Sequence, residues 1–322
     1  MRVETVHSDE FKNILGLAIQ MGKLSSDQSV LKFFEIMKFD LIRDLNDLSE
    51  MISSIGALSE KINYNDLLIA SAELEKHALN DISLIPFGST RYPLCLEVTP
   101  NPPAILYIKG NEQILNDLPG VAIVGSRDVS PAGEEITRRI TSQVVNAGYV
   151  VVSGLAIGTD ANTHKATLQA KGKTIAVLAH GLEEAKPKQN NRLAHEILEK
   201  GGAWISEYPM GRPAMKQSFV QRNRIQVGLS AASILIEAAL NSGTITQAEF
   251  AIKAKRPVFA VIPHVAGNPL NLNCEGTIDL VNSRMAAPLR TRNDYEGLIE
   301  TIYKSKKELS KIMRGTLQNT LI

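Results

Sequence analysis

The chain has 322 residues, 44% hydrophobic and 21% charged, with a formal net charge of +1. That composition is globular and excludes wholesale disorder, while two cysteines, Cys95 and Cys274, exclude a disulfide framework and suggest a reducing compartment. The longest uncharged run, residues 140–159, is too polar for a membrane span, and Glu4, Asp9, Glu10 and Lys12 leave no apolar leader core, so a cytoplasmic protein is expected.

Charge is unevenly spread. Residues 1–100 hold nine Lys and Arg against fifteen Asp and Glu, a net of −6; residues 101–322 hold 26 against 19, a net of +7. The split suggests two domains, the basic one facing a polyanion or merely solvated. Residues 1–85 read as helical, with Phe11, Ile14, Leu15, Ala18 and Ile19 at helical spacing and no strand-like run. A fragment starting near Asp81 is therefore expected to fold by itself. Prolines 86, 93, 100, 102 and 103 mark a connector, and residues 104–108 predict a strand. Short apolar runs then recur at 121–124, 149–152, 174–178, 203–206, 234–236 and 257–262, with ends 25 to 30 residues apart. Each interval fits a strand, a loop and a crossover helix. The pattern predicts an α/β fold, a mostly parallel sheet covered by helices on both faces. The tail after Thr291 reads as one helix with a basic end.

Ligands of such sheets bind at the carboxyl ends of the strands. Five of those ends carry small or basic residues. Gly125, Ser126 and Arg127 follow the first, with Ser130 and Pro131 as a helix cap and first-turn proline. Glycine lets backbone amides approach a phosphate, and arginine adds a forked donor; a tight turn with a surface arginine explains the same residues. Ser153 and Gly154 end the second strand, before Asp160 and His164, which fit a cap and a packing histidine better than ligand contacts. Lys188 and Asn190 lie in a polar loop after the third. Arg222, Asn223 and Arg224 lie close together where a helix is expected to open at Phe219, a phosphate clamp or a solvated face. Ser242, Gly243 and Thr244 follow the fifth. Together they point to a ligand with several phosphates or a phosphate backbone. The six histidines show no metal-ligand spacing, and no complete Walker motif or nucleophile elbow is present; no metal, cofactor or catalytic residue is expected.

These motifs, in this order, resemble the DNA-processing protein A (DprA, or Smf) family. The resemblance rests on VAIVGSR at 121–127, SGLAIGTD at 153–160 with His164, TIAVL at 174–178, Pro187 with Asn190, ISEYP at 205–209, and Phe219 with RNRI at 222–225. Glu237, SGT at 242–244 and VFAV at 258–261 complete it. It covers residues 81–289. It implies an extended Rossmann-like domain that binds single-stranded DNA, forms a homodimer and loads a RecA-type recombinase in transformation or recombination. The domains would be a helical module at 1–85, SAM-like or similar, the Rossmann-like domain at 86–292, and a basic helical tail at 293–322. The winged helix found in many members does not fit the residues after Leu289. The DNA contacts carried over fall on Arg127, Ser153, Gly154, Lys188, Arg222 and Arg224. Departures occur at Lys186 for the family's tyrosine, at His264 for its glycine, and at Thr163 for its alanine.

Two other classes compete. A nucleotide sensor on the same scaffold predicts tight mononucleotide binding without a preference for long strands. A phosphoribohydrolase needs a glutamate three residues after Thr244; here that residue is Gln247, and an amide is no general base.

Overall fold

The computed structural model describes residues 2–22, 27–55 and 62–320. The first part is helical: α1 (Arg2–Met21), α2 (Asp27–Ile36), α3 (Leu45–Ser53) and α4 (Tyr64–Leu79). Local chemistry fixes two starts. Asp44 accepts hydrogen bonds from the backbone N–H groups of Asn46 and Asp47. Asn63 and Asp66 form a reciprocal capping box. The apolar stripe of α1, including Phe11, Ile14, Leu15 and Ala18, is buried, as its helical spacing predicts.

A nine-stranded sheet follows, in the order β1-β2-β6-β5-β4-β3-β7-β8-β9. Its strands are β1 (Ile82–Pro86), β2 (Ile105–Gly110), β3 (Gly120–Val124), β4 (Val151–Ser153), β5 (Thr174–Val177), β6 (Ala203–Ser206), β7 (Ser230–Leu235), β8 (Val258–Val261) and β9 (Ala287–Leu289). β1 pairs antiparallel with β2, and β2 with β6; all other pairs are parallel. Every residue of β3 to β8 is buried, because helices cover both faces. The covering helices are α6 (Pro131–Asn146), α7 (Thr159–Gln169), α8 (Asn191–Glu199), α9 (Lys216–Gly228), α10 (Gly243–Lys253), α11 (Glu275–Asn282) and α12 (Tyr295–Thr320), with a one-turn α5 (Leu94–Glu97) before β2. Among the described residues, no helix is long and apolar enough to cross a membrane.

Two strands depart from the expectation. β1 begins within residues 1–85, which read as wholly helical; it is short and ends at Pro86. β9 is a three-residue edge strand containing Pro288, which an edge tolerates. The helical part and the sheet are packed together. The N-terminal helices and the sheet share one apolar cluster, in which Leu15 and Ile19 join Ile105, Tyr107 and Trp204. α1 runs so close to β2 that a Cβ at Gly16 would lie 2.5 Å from Ile105 Cδ1. Polar bonds cross the same seam. Ser89 Oγ donates to Asp9 at 2.5 Å, Tyr107 Oη to Gln20 at 2.7 Å, and the Met210 N–H to His77 Nε2 at 2.9 Å.

Candidate functional site

Strand order reverses at β3, which has β4 on one side and β7 on the other. The connections leave in opposite directions and open a crevice at the carboxyl ends. That crevice is a cleft of about 720 Å³, lined by residues 124–128 after β3, by Ala239 and residues 242–244 after β7, and by α9.

The turn after β3 closes on itself. Ser126 Oγ accepts from the Asp128 N–H at 3.0 Å and donates to the Asp128 carbonyl at 2.9 Å. The Thr159 N–H donates to the Ser126 carbonyl at 3.0 Å. Gly158, at φ +77°, lets α7 begin there; a Cβ on it would lie 2.5 Å from the Ser126 carbonyl oxygen. Ser130 caps α6, accepting from the Gly133 N–H at 3.0 Å. The buried carboxylate of Glu237 accepts from Ser130 Oγ at 2.7 Å, from its N–H at 2.8 Å, and from the Asn273 N–H at 2.9 Å. It ties three loops into one rim. Strand-end reasoning from small and basic residues passed over it; the signal was an acidic residue directly after the apolar run at 234–236.

α9 forms the floor. Asn223 Nδ2 donates to the Gly243 carbonyl at 3.1 Å, joining α9 to the start of α10. Arg222 is 6% exposed and lies over Gly154, where a Cβ would fall 1.3 Å from its Nη1. Its compensation is partial. Asp160 Oδ2 is 4.0 Å from Nη1. The Gln226 amide, oriented to satisfy its neighbours, accepts from Nη1 at 2.9 Å. Nε has no partner among the described residues. Burial pushes Arg222 below its ordinary range; Asp160 opposes this and Arg127 adds to it. Burial likewise raises the Asp160 carboxyl, against the pull of Arg222 and two backbone N–H groups. At the rim, the exposed Arg127 guanidinium stands 5.6 Å from the centre of the Phe219 ring.

The cleft therefore gathers Gly125, Ser126, Arg127, Arg222, Asn223, Ser242, Gly243 and Thr244. The other five candidates lie elsewhere. Ser153 is buried beneath, donating to the Ile123 carbonyl at 2.7 Å. Gly154 supports Arg222 from below. Asn190 Nδ2 donates to the Leu155 carbonyl at 2.8 Å, a bracing contact, and Lys188 is exposed on the loop after β5. Arg224 turns away. α9 starts at Lys216, not Phe219, so both arginines sit mid-helix, and two residues are about 200° of rotation. Arg224 Nη1 donates to Glu207 at 2.8 Å, and Nε to the Asn101 carbonyl at 2.9 Å, on the opposite side. His164 packs as its structural reading has it, but Asp160 does not cap α7: Gly158 holds the N-cap, and Asp160 lies in the first turn and lines the cleft. Asp160 accepts from the Gly154 N–H at 3.1 Å. His164 Nδ1 lies 2.8 Å from Thr174 Oγ1, and burial beside Arg222 pushes its pKa down to about 3. Gln247 lines the cleft, with Nε2 donating to Ser233 Oγ at 3.4 Å.

Comparison with known proteins places the chain in a family. The sequence model of the family described as DNA recombination-mediator protein A matches residues 83–300. Protein Smf of Escherichia coli is 41% identical over 186 residues, 58% of this chain and 49% of that protein. DNA processing protein DprA of Bacillus subtilis is 36% identical over 199 residues, 61% of this chain and 67% of that protein. The chain thus spans about half the length of the Smf relatives it matches. Among solved structures, DprA of Streptococcus pneumoniae superposes with a TM-score of 0.64 at 27% identity, covering 92% of this chain and 95% of that one. DNA processing protein A from Helicobacter pylori, whose structure is described as revealing a single-stranded DNA binding mode, gives 0.60 at 28% identity, covering 70% and 97%.

Proposed function

Because the chain belongs to the DNA recombination-mediator protein A family, we propose that its β3–β7 cleft holds single-stranded DNA and presents it to a RecA-type recombinase. Arg222 carries this reading. It is a buried guanidinium on the floor of an open cleft, with one N–H unpartnered. Arginine stays charged at physiological pH, so a phosphate placed against it relieves a desolvation cost already incurred. Arg127 and Phe219 at the rim supply a second cation and a ring for a base to stack on. The cleft is bounded by turns and a helix floor, a shape that suits an unpaired strand.

The same residues argue for binding without turnover. Gln247 stands where a phosphoribohydrolase needs its glutamate, and an amide neither takes a proton nor stabilises a developing oxocarbenium charge. We assign the protein to the cytoplasm, acting as a homodimer and not as an enzyme. The test is competition between single- and double-stranded DNA of equal length across a salt series. Preference for the single strand, with affinity falling as salt rises, is expected. Equal affinity for the duplex at moderate salt, or tight mononucleotide binding with no gain for longer strands, overturns it.

A further inference from the structure

The carboxyl edge of the sheet continues past the cleft. β8 and β9 follow β7 in parallel, so their carboxyl ends open on the same edge. Two hollows, of about 130 and 380 Å³, adjoin there and share Arg139, Arg292 and Tyr295. The first adds His264 and Arg290, from the segments after β8 and β9. The second adds Arg138, which with Arg139 comes from α6. Neither hollow is lined by a carboxylate.

The fold uses these charges only in part. Arg138 and Arg139 share Glu135, whose carboxyl they hold down to about 2. Arg290 and Arg292 are exposed, and among the described residues neither guanidinium makes a hydrogen bond or ion pair. Their backbones are engaged instead: the Arg290 N–H donates to Asp294 at 2.7 Å, and the Arg292 carbonyl accepts from the Tyr295 N–H. Among the described residues, the carboxylates bonded to this cluster are Glu135 and Asp294, against four guanidinium groups. β9 lies two strands beyond β7, roughly 10 Å at the usual strand spacing. A chain leaving the cleft spans that gap in about three nucleotides.

We propose that the nucleic-acid track runs along this edge from the cleft past β8 to β9, where Arg290 and Arg292 bind the phosphodiester backbone of nucleotides that have left the cleft. The inference rests on the single-strand reading of the cleft. It is tested with oligothymidylates of about six and about twenty nucleotides, on wild type, the double variant Arg290→Ala/Arg292→Ala, and Arg127→Ala. The double variant is expected to keep wild-type thermal stability and short-strand affinity. It should bind the long strand at least about fivefold more weakly, with a salt slope shallower by about 1.4, two phosphates at about 0.7 each. Unchanged long-strand affinity and slope overturn the track while leaving the cleft intact; equal loss for both lengths also overturns it. If Arg127→Ala binds both strands as wild type does, the cleft reading itself fails.

Discussion

Arg222 and Arg224 stand two residues apart and face different problems. Arg222 is short of partners on the cleft floor; Arg224 is held by Glu207 and the Asn101 carbonyl on the far side of α9. Arg222→Ala is expected to weaken single-strand binding at least about tenfold, roughly 1.4 kcal/mol. Arg222→Lys should not restore it, because an ammonium lacks the planar fork. Arg224→Ala should cost stability instead. It strands the Glu207 carboxylate, 6% exposed on its side chain, and loss of such a partner costs about 3–5 kcal/mol. Urea unfolding and strand affinity, measured on both variants, separate the two roles; a stable Arg224→Ala protein that has lost DNA affinity contradicts this division. Titration at the same scale has a definite sign. His77, His164 and His180 all have folded pKa values lowered by burial. Their contribution to stability is present above the unfolded value of about 6.5 and is lost as pH falls. For His164, lowered to about 3, the loss continues toward that pH at about 1.4 kcal/mol per unit. His164→Asn should flatten the fall in unfolding free energy below pH 6.5; an unchanged profile contradicts its burial as a neutral ring.

At the scale of elements, the turn after β4 supports the floor helix. Gly154 is required because Arg222 occupies the space of a Cβ. Gly154→Ala should lift the guanidinium and reproduce most of the affinity loss of Arg222→Ala, while keeping every charge and most of the stability; unchanged affinity rules this support out. Much of this level was legible in the sequence. The apolar runs at 121–124, 174–178 and 203–206 fall on β3, β5 and β6, since strands buried on both faces leave unbroken apolar stretches. The turn at Gly125, Ser126 and Arg127 and the cap at Ser130 were readable because glycine, serine and proline announce themselves locally. What the sequence did not reveal depends on three-dimensional placement. Arg222 and Arg224 look like a pair until the start of α9 fixes their rotation. Asn190 and Ser153 are the right types for ligand contacts and are used instead to brace backbone carbonyls. β1 and β9 escaped because each is short and contains a proline.

The whole molecule joins an acidic helical part to a basic sheet, and charge alone suggested that they separate. Packing bears on this, because Leu15 and Ile19 share a core with Ile105, Tyr107 and Trp204. Deleting residues 1–80 bares that apolar face and leaves Ser89 and the Met210 N–H without Asp9 and His77. The fragment is expected to lose solubility or to melt well below the full chain; a fragment with the full chain's melting temperature shows that the seam contributes little. The acidic helices repel a phosphate strand, and what the structure shows of them is their packing against the sheet. The central claim, that the strand lies in the β3–β7 cleft, is tested most directly by photocrosslinking a 5-iodouracil-substituted oligothymidylate to the full chain and mapping the attached peptide. Attachment at Phe219, reduced in Arg127→Ala and Arg222→Ala, is the predicted result. Attachment confined to α1–α4, or to the Arg224 side of α9, contradicts it.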